Sequence, residues 1–129
     1  MKTSLSLVLF ALIVSVVGGC ANRQTSSLVG DQVAVEEISA LNGVRIFYYS
    51  PDDSVEQLLA IAEKYKGEYQ NKAMVEILFF DDRQNTPQAL PMNDYGVACH
   101  VAKFEWIPSQ GKQVLQRRRD GWKELNQGL

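Results

Sequence analysis

Histidine is nearly absent from this chain of 129 residues, and His100 is its one example. Cysteine is almost as scarce, with two. A single imidazole, with no His-Glu-x-x-His run and no close pair of cysteines, excludes the usual zinc arrangements. Also missing are Gly-x-Ser-x-Gly, the phosphate-binding P-loop and Gly-x-Gly-x-x-Gly, and with them the common nucleophile elbow and nucleotide cradles. There is no surplus of either charge: 13 Lys and Arg stand against 15 Asp and Glu, a net charge of −2. A dedicated nucleic-acid binder is normally clearly basic, so no nucleic-acid partner is expected. What is present is ordinary for a globular protein, 46% hydrophobic and 22% charged residues, in a length that suits one domain.

The residues are not evenly mixed. Met1 and Lys2 give a basic start, and Leu5 to Val17 is apolar apart from two serines. That run is shorter than the roughly 20 residues of a membrane-spanning helix and has the length of the apolar part of a signal peptide. Gly18, Gly19 and Cys20 follow at once. Small residues there let a peptidase approach the backbone. In Val17-Gly18-Gly19-Cys20, placed directly after an apolar run, the chain resembles the precursors of bacterial lipoproteins, with Val17 where Leu is commoner. The resemblance covers only this leader. It implies a diacylglyceryl thioether on Cys20, cleavage between Gly19 and Cys20, and acylation of the new amine. Ala21, where an Asp often marks inner-membrane retention in diderm bacteria, fits delivery to the outer membrane. Several acyl chains on one residue give a firm anchor, because each buried methylene adds about 0.8 kcal/mol. The competing reading is an ordinary secretory signal or short anchor that happens to contain a cysteine.

Cleavage would leave 110 residues, in which 12 Lys and Arg face 15 Asp and Glu, a balance of −3. Lipidation would consume Cys20 and leave Cys99 alone, so no disulfide could form within the mature chain. A lone cysteine is more often a small buried hydrophobe than a reactive or crosslinking thiol. Residues 20–30, polar and without period after Cys20, read as the lipidated residue and a tether, and residues 31–129 as one small domain.

Within that domain Val33 to Ile38 predicts a strand. Asn42-Gly43 predicts a hairpin turn, and Val44 to Ser50 the partner strand. Ser50-Pro51-Asp52-Asp53-Ser54 is turn chemistry leading into a helix over about 53–66, with Val55, Leu58, Leu59, Ala62 and Tyr65 at helical spacing and Gly67 as terminator. Met74 to Phe80 is a short apolar run and predicts a buried strand, which makes a βαβ-like unit with parallel strands and a right-handed crossover. A long polar stretch from Asp81 to Gly96 follows, with room for a short helix near Pro87–Leu90. Val97 to Trp106 predicts a strand with Ala98, His100, Ala102, Phe104 and Trp106 on one face. Gln113 to Arg118 predicts its hairpin partner after Pro108-Ser109-Gln110-Gly111, and Trp122 and Leu125 are placed as packing back onto the body. The fold expected is α+β, one main helix on a mixed sheet of four to five strands with a C-terminal hairpin.

Four groups carry candidate chemistry. Asp81 and Asp82 follow a central strand, in the kind of loop where open sheets bind ligands, and Asp94 and Asn85 can add oxygens for a divalent cation. The plainer reading is a solvated turn in which Asp82 or Asn85 caps backbone donors. His100 can serve as a base with Asp81 or Asp94, against a structural histidine. Adjacency to Cys99 makes no dyad on a strand, because neighbours point to opposite faces. Arg117-Arg118-Arg119 can meet phosphates of lipids or envelope polymers, against a charged edge that discourages aggregation. Tyr48, Tyr49, Phe79 and Phe80 can line an aromatic site, against core packing. No assembled catalytic pattern, cofactor or metal site is expected. The resulting expectation is an envelope lipoprotein, held to the membrane through Cys20, whose domain binds or assembles with an envelope protein. The alternatives are a small metal-dependent or acid/base enzyme using Asp81, Asp82 and His100, and a lipoprotein inhibitor or immunity factor presenting residues 81–96.

Overall fold

A computed structural model of the protein describes residues 28–126. The cleavage site at Gly19 and Cys20, the signal peptide and most of the tether lie outside the described residues. The elements run β1 (Asp31–Ile38), β2 (Gly43–Tyr49), α1 (Val55–Glu68), β3 (Met74–Phe80), α2 (Asp94–Cys99), β4 (His100–Ile107), β5 (Lys112–Arg117) and β6 (Glu124–Asn126), with 3-10 turns at Ser39–Leu41, Pro108–Gln110 and Arg118–Asp120. All six strands form one sheet in chain order. Among the described residues only the β2–β3 pair is parallel, joined across α1 as expected, and every other neighbour is antiparallel. The class is α+β. The sheet has six strands rather than four to five because Glu124–Asn126 adds a three-residue edge on β5, too short to show a period of two.

The β1–β2 hairpin is present, with a different turn from the one expected. Asn42 alone takes the left-handed conformation, after the 3-10 turn, and Gly43 already belongs to β2, close against Met74. Helix α1 begins where Ser54 accepts a hydrogen bond from the Gln57 amide, and it runs through Gly67, which sits exposed with open space around it, to Glu68. Capping and the buried stripe Leu58, Ile61, Ala62 and Tyr65 outweigh the local cost of one glycine, about 1 kcal/mol.

The expected strand from Val97 is the larger correction. Residues 94–99 are helical, because the Asn93 side chain caps the Gly96 amide at 2.8 Å and Asp94 sits at the positive end of that turn. The segment Pro87–Leu90 is irregular instead. A bulge then shifts the pairing between Phe79–Ala102 and Phe80–His100. His100 therefore does not share a face with Phe104 and Trp106; its ring lies against Phe80, on the face away from α1.

The core sits between the sheet and α1. Val44, Ile46, Tyr48, Val75, Ile77, Phe79, Ala102, Phe104 and Leu115 point at the helix and are buried with its apolar stripe. Tyr48, Phe79 and Phe80 are thus core residues, with Tyr49 half-buried. A smaller cluster lies on the opposite face: Phe47, Leu78, Phe80 and Cys99, with Ala34 and Met92 against it. Residues 81–99 cover it, and the rest of that face is left open.

Candidate functional site

The loop after β3 holds itself together. The Asp82 carboxylate accepts from the Gln84 amide at 3.0 Å, the Asn85 amide at 3.3 Å and the Asn85 side-chain amide at 2.7 Å. The Asn85 hydrogen bond is the main reason its carboxyl lies below the usual range. The Thr86 hydroxyl, buried, donates to the Asp82 carbonyl at 2.7 Å. Asp82 is thereby the capping residue of its own turn, as the plainer reading had it. Asp81 is exposed, its amide donating to the Cys99 carbonyl, and Asp94 is exposed at the start of α2. Among the described residues no group of three or more His, Cys, Asp or Glu side chains is gathered as a metal site.

His100 is half-buried between two rings, Phe80 at 5.1 Å and Trp122 at 4.9 Å. Its Nε2 atom is buried without a hydrogen-bond partner. Burial is the main influence that lowers its pKa, and Arg118 and Lys103 act in the same direction. A neutral, stacked ring of this kind is a packing element. Cys99 is buried in the small cluster, and its thiol lies 3.5 Å from the Gly96 carbonyl and 3.6 Å from the Asn85 carbonyl. Burial, then Asp81 and Asp82, raise its pKa, which keeps it a thiol rather than a reactive thiolate.

The three arginines are engaged within the fold. Arg117 donates to the Asp53 carbonyl at 3.0 Å and pairs with Asp120 at 2.6 Å. Arg118 donates to the Ala98 and Val97 carbonyls at 2.6 and 2.7 Å, closing the C-terminal end of α2. Arg119 holds the Asp53 carboxylate with two nitrogens, at 2.9 and 2.5 Å. They tie the 3-10 turn after β5 to the start of α1 and the end of α2.

Two features were not expected from the sequence, where Ser-x-x-Lys had been counted among the absent motifs. One is a row of alternating charge across the open part of the sheet. Glu36 on β1 pairs with Arg45 on β2 at 3.3 Å, and Arg45 also pairs with Glu76 on β3. Glu76 meets Lys103 on β4 at 3.2 Å, and Glu105 bridges Lys103 at 3.7 Å and Lys112 on β5 at 3.1 Å. Beside this row lies a shallow polar groove of about 250 Å³, lined by Lys103, Glu105, Lys112, Val114, Gln116 and Glu124. The signal was there: single charges at alternate positions inside otherwise apolar strands, such as Arg45 and Glu76, mark a sheet face that is charge-paired and not part of the apolar core. The other is a Ser-x-x-Lys spacing at Ser109–Lys112. Its serine is exposed in a 3-10 turn, and its lysine is paired with Glu105. The geometry thus defines an α+β domain with one face sealed by a helix and the other partly open and charge-paired. Compared with family models, curated proteins and solved structures, the chain matches none.

Proposed function

We propose that this protein is an envelope lipoprotein whose small domain acts by binding, not by catalysis. Lipid on Cys20 holds it to a bacterial membrane, the outer membrane facing the periplasm, and the domain binds or assembles with an envelope protein. The observation that supports the anchor is the basic start, apolar run, Gly18-Gly19 and Cys20 in order. No helix among the described residues is long and apolar enough to cross a membrane. The open charged strip from Glu36 to Lys112, with its groove, is the surface available to a protein partner. Its alternating charges favour a partner bearing a matching row, so they contribute to specificity and association rate more than to raw affinity.

Two measurements test this reading. Globomycin, or Cys20→Ala, is expected to block processing or release the protein from membranes. A variant that still fractionates with membranes as the unaltered protein does would refute the anchor. Photo-crosslinkers at Lys112 and at Asp94, followed by mass spectrometry, separate the binding readings. A specific protein adduct from Lys112 supports the open strip. An adduct from Asp94 alone favours an inhibitor or immunity factor that presents residues 81–96.

A further inference from the structure

The sheet has two unlike ends. At one lie the turns Ser39–Leu41 and Pro108–Gln110 and the C-terminal end of α1. The other gathers the start of β1, the loop into α1, residues 81–99 and residues 117–123, since Asp31 pairs with Tyr49, Tyr49 with Phe80, Phe80 with His100, and Ala102 with Arg117. Arg83 pairs with Asp31 at 2.5 Å and fixes the 81–99 segment to the beginning of β1.

This second end carries most of the exposed large apolar side chains. Val29, Leu90, Tyr95, Val97 and Trp122 are there, whereas Val35 and Leu41 lie elsewhere. Tyr95 is 70% exposed and Val97 56%, on a helix of six residues that offers them no cover. Trp122 has φ +60°, a left-handed conformation that a bulky residue rarely adopts. Hydrogen bonds from its amide to the Arg117 carbonyl and from the Gln116 side chain to its own carbonyl hold it there. The fold thus holds the Trp122 backbone in a left-handed conformation that keeps the indole at the surface, seated on His100.

The chain leaves the described domain at this same end. From Cys20 to Leu28 the backbone can reach at most about 30 Å. A domain of this size has a radius of gyration of about 13 Å, so its far end lies at about the limit of that reach. We propose that this end of the sheet rests on the bilayer, with Leu90, Tyr95, Val97 and Trp122 at the headgroup level. The proposal rests on the lipoprotein reading of Cys20. Tyrosine and tryptophan suit that depth, because an apolar ring can enter while its polar atom stays wet. Tethering raises the local concentration, so a weak contact suffices.

Charge selects the lipid. Asp52, Asp81, Asp82 and Asp94 have no ion-pair partner among the described residues, against Arg118, which meets only backbone carbonyls, and Lys123 on the basic side; Arg83, Arg117 and Arg119 are paired, so carboxylates are in excess. A surface with unpaired carboxylates is repelled by anionic lipid and accepts the ammonium groups of a zwitterionic one such as phosphatidylethanolamine.

The test uses the full lipidated protein in vesicles of phosphatidylcholine and phosphatidylethanolamine with brominated acyl chains, which quench nearby tryptophan. The chain has two tryptophans, so Trp106→Phe leaves Trp122 as reporter and Trp122→Phe leaves Trp106, which is paired with Val75 toward the other end. Trp122 is expected to lose most of its emission and Trp106 little. Replacing half the lipid by phosphatidylglycerol should weaken the quenching, and Tyr95→Asp/Val97→Asp should abolish it while flotation persists. If the protein floats with vesicles but Trp122 is quenched no more than Trp106, the proposal is overturned and the anchor stands. If it does not float, both fall. Quenching that survives the double substitution, or strengthens with anionic lipid, overturns the assignment of this surface.

Discussion

The two faces of the sheet solve the same problem by different chemistry. Against α1, ten sheet residues and four helix residues are buried hydrophobes, and the interaction is non-directional area burial. On the opposite face a small apolar cluster is roofed by residues 81–99, and beyond it the strands carry charges that pair from Glu36 to Lys112. The comparison teaches where stability and freedom sit. The first face is closed and supplies the cohesion, and the second is satisfied by ion pairs yet accessible to a partner.

The largest effect should come from breaking the closed face. Ile61 is fully buried under the sheet, and Ile61→Ala removes its side chain and leaves a cavity, a loss of about 2–5 kcal/mol. The urea midpoint should fall with no change in slope. A shift as small as a surface substitution gives would mean that α1 does not seal this face.

On the open face Glu76 is the sharpest point. It is a buried charge among β-strands, and it receives Arg45 and Lys103. Glu76→Ala leaves two cations without their common partner, and about 1.5–3 kcal/mol should be lost. The same substitution made with Arg45→Met should recover part of that loss, because removing both members of a part-buried pair costs less than removing one. Additive losses in a double-mutant cycle would show that the row is decoration rather than a coupled network.

The roof over the small cluster is the next weaker point. At Gly96 an added Cβ would lie 2.9 Å from the Pro87 ring and 3.3 Å from the Met92 Cβ. Gly96→Ala therefore sets overpacking against improved helix propensity, with a net loss of about 1 kcal/mol. Faster amide exchange in residues 81–99, with the α1 core unchanged, would mark the roof as a separate unit of stability.

The same contrast explains what the sequence disclosed. The α1 face was legible because its signals are periodic: Leu58, Ala62 and Tyr65 recur at helical spacing, and Val75, Ile77 and Phe79 at strand spacing. The Asp82 turn was legible from local chemistry, since aspartate and asparagine three residues apart favour capping. The face of His100 was not legible, because a one-residue bulge between His100 and Ala102 puts these two residues on opposite faces and leaves no mark in composition. Nor was α2, where Val97-Ala98-Cys99 resembles a strand and only the Asn93 cap argues otherwise. The Arg117–Arg119 cluster looked like a free basic patch because its acceptors, Asp53 and the Val97 and Ala98 carbonyls, are distant in sequence.

The smallest predicted effect lies where the two regions of the open face meet, at His100. Its pKa is lowered first by burial, with Arg118 and Lys103 also disfavouring the charged ring and Glu76 and a backbone contact at Ala102 opposing them. The folded protein therefore binds a proton less readily than the unfolded chain, whose histidine titrates near pH 6.5. Stability linked to this group is full above about pH 6.5 and declines as pH falls through that value toward the lower folded pKa. The first part to loosen should be the Trp122 contact, so in Trp106→Phe the Trp122 emission is expected to shift on acidification before global unfolding. His100→Phe keeps a ring between Phe80 and Trp122 and removes the orphaned Nε2 atom. It should flatten the stability profile between pH 7 and 5 and leave stability at pH 7 equal or higher. A profile that keeps its slope in His100→Phe would transfer the acid sensitivity to other groups and leave the ring with a packing role alone.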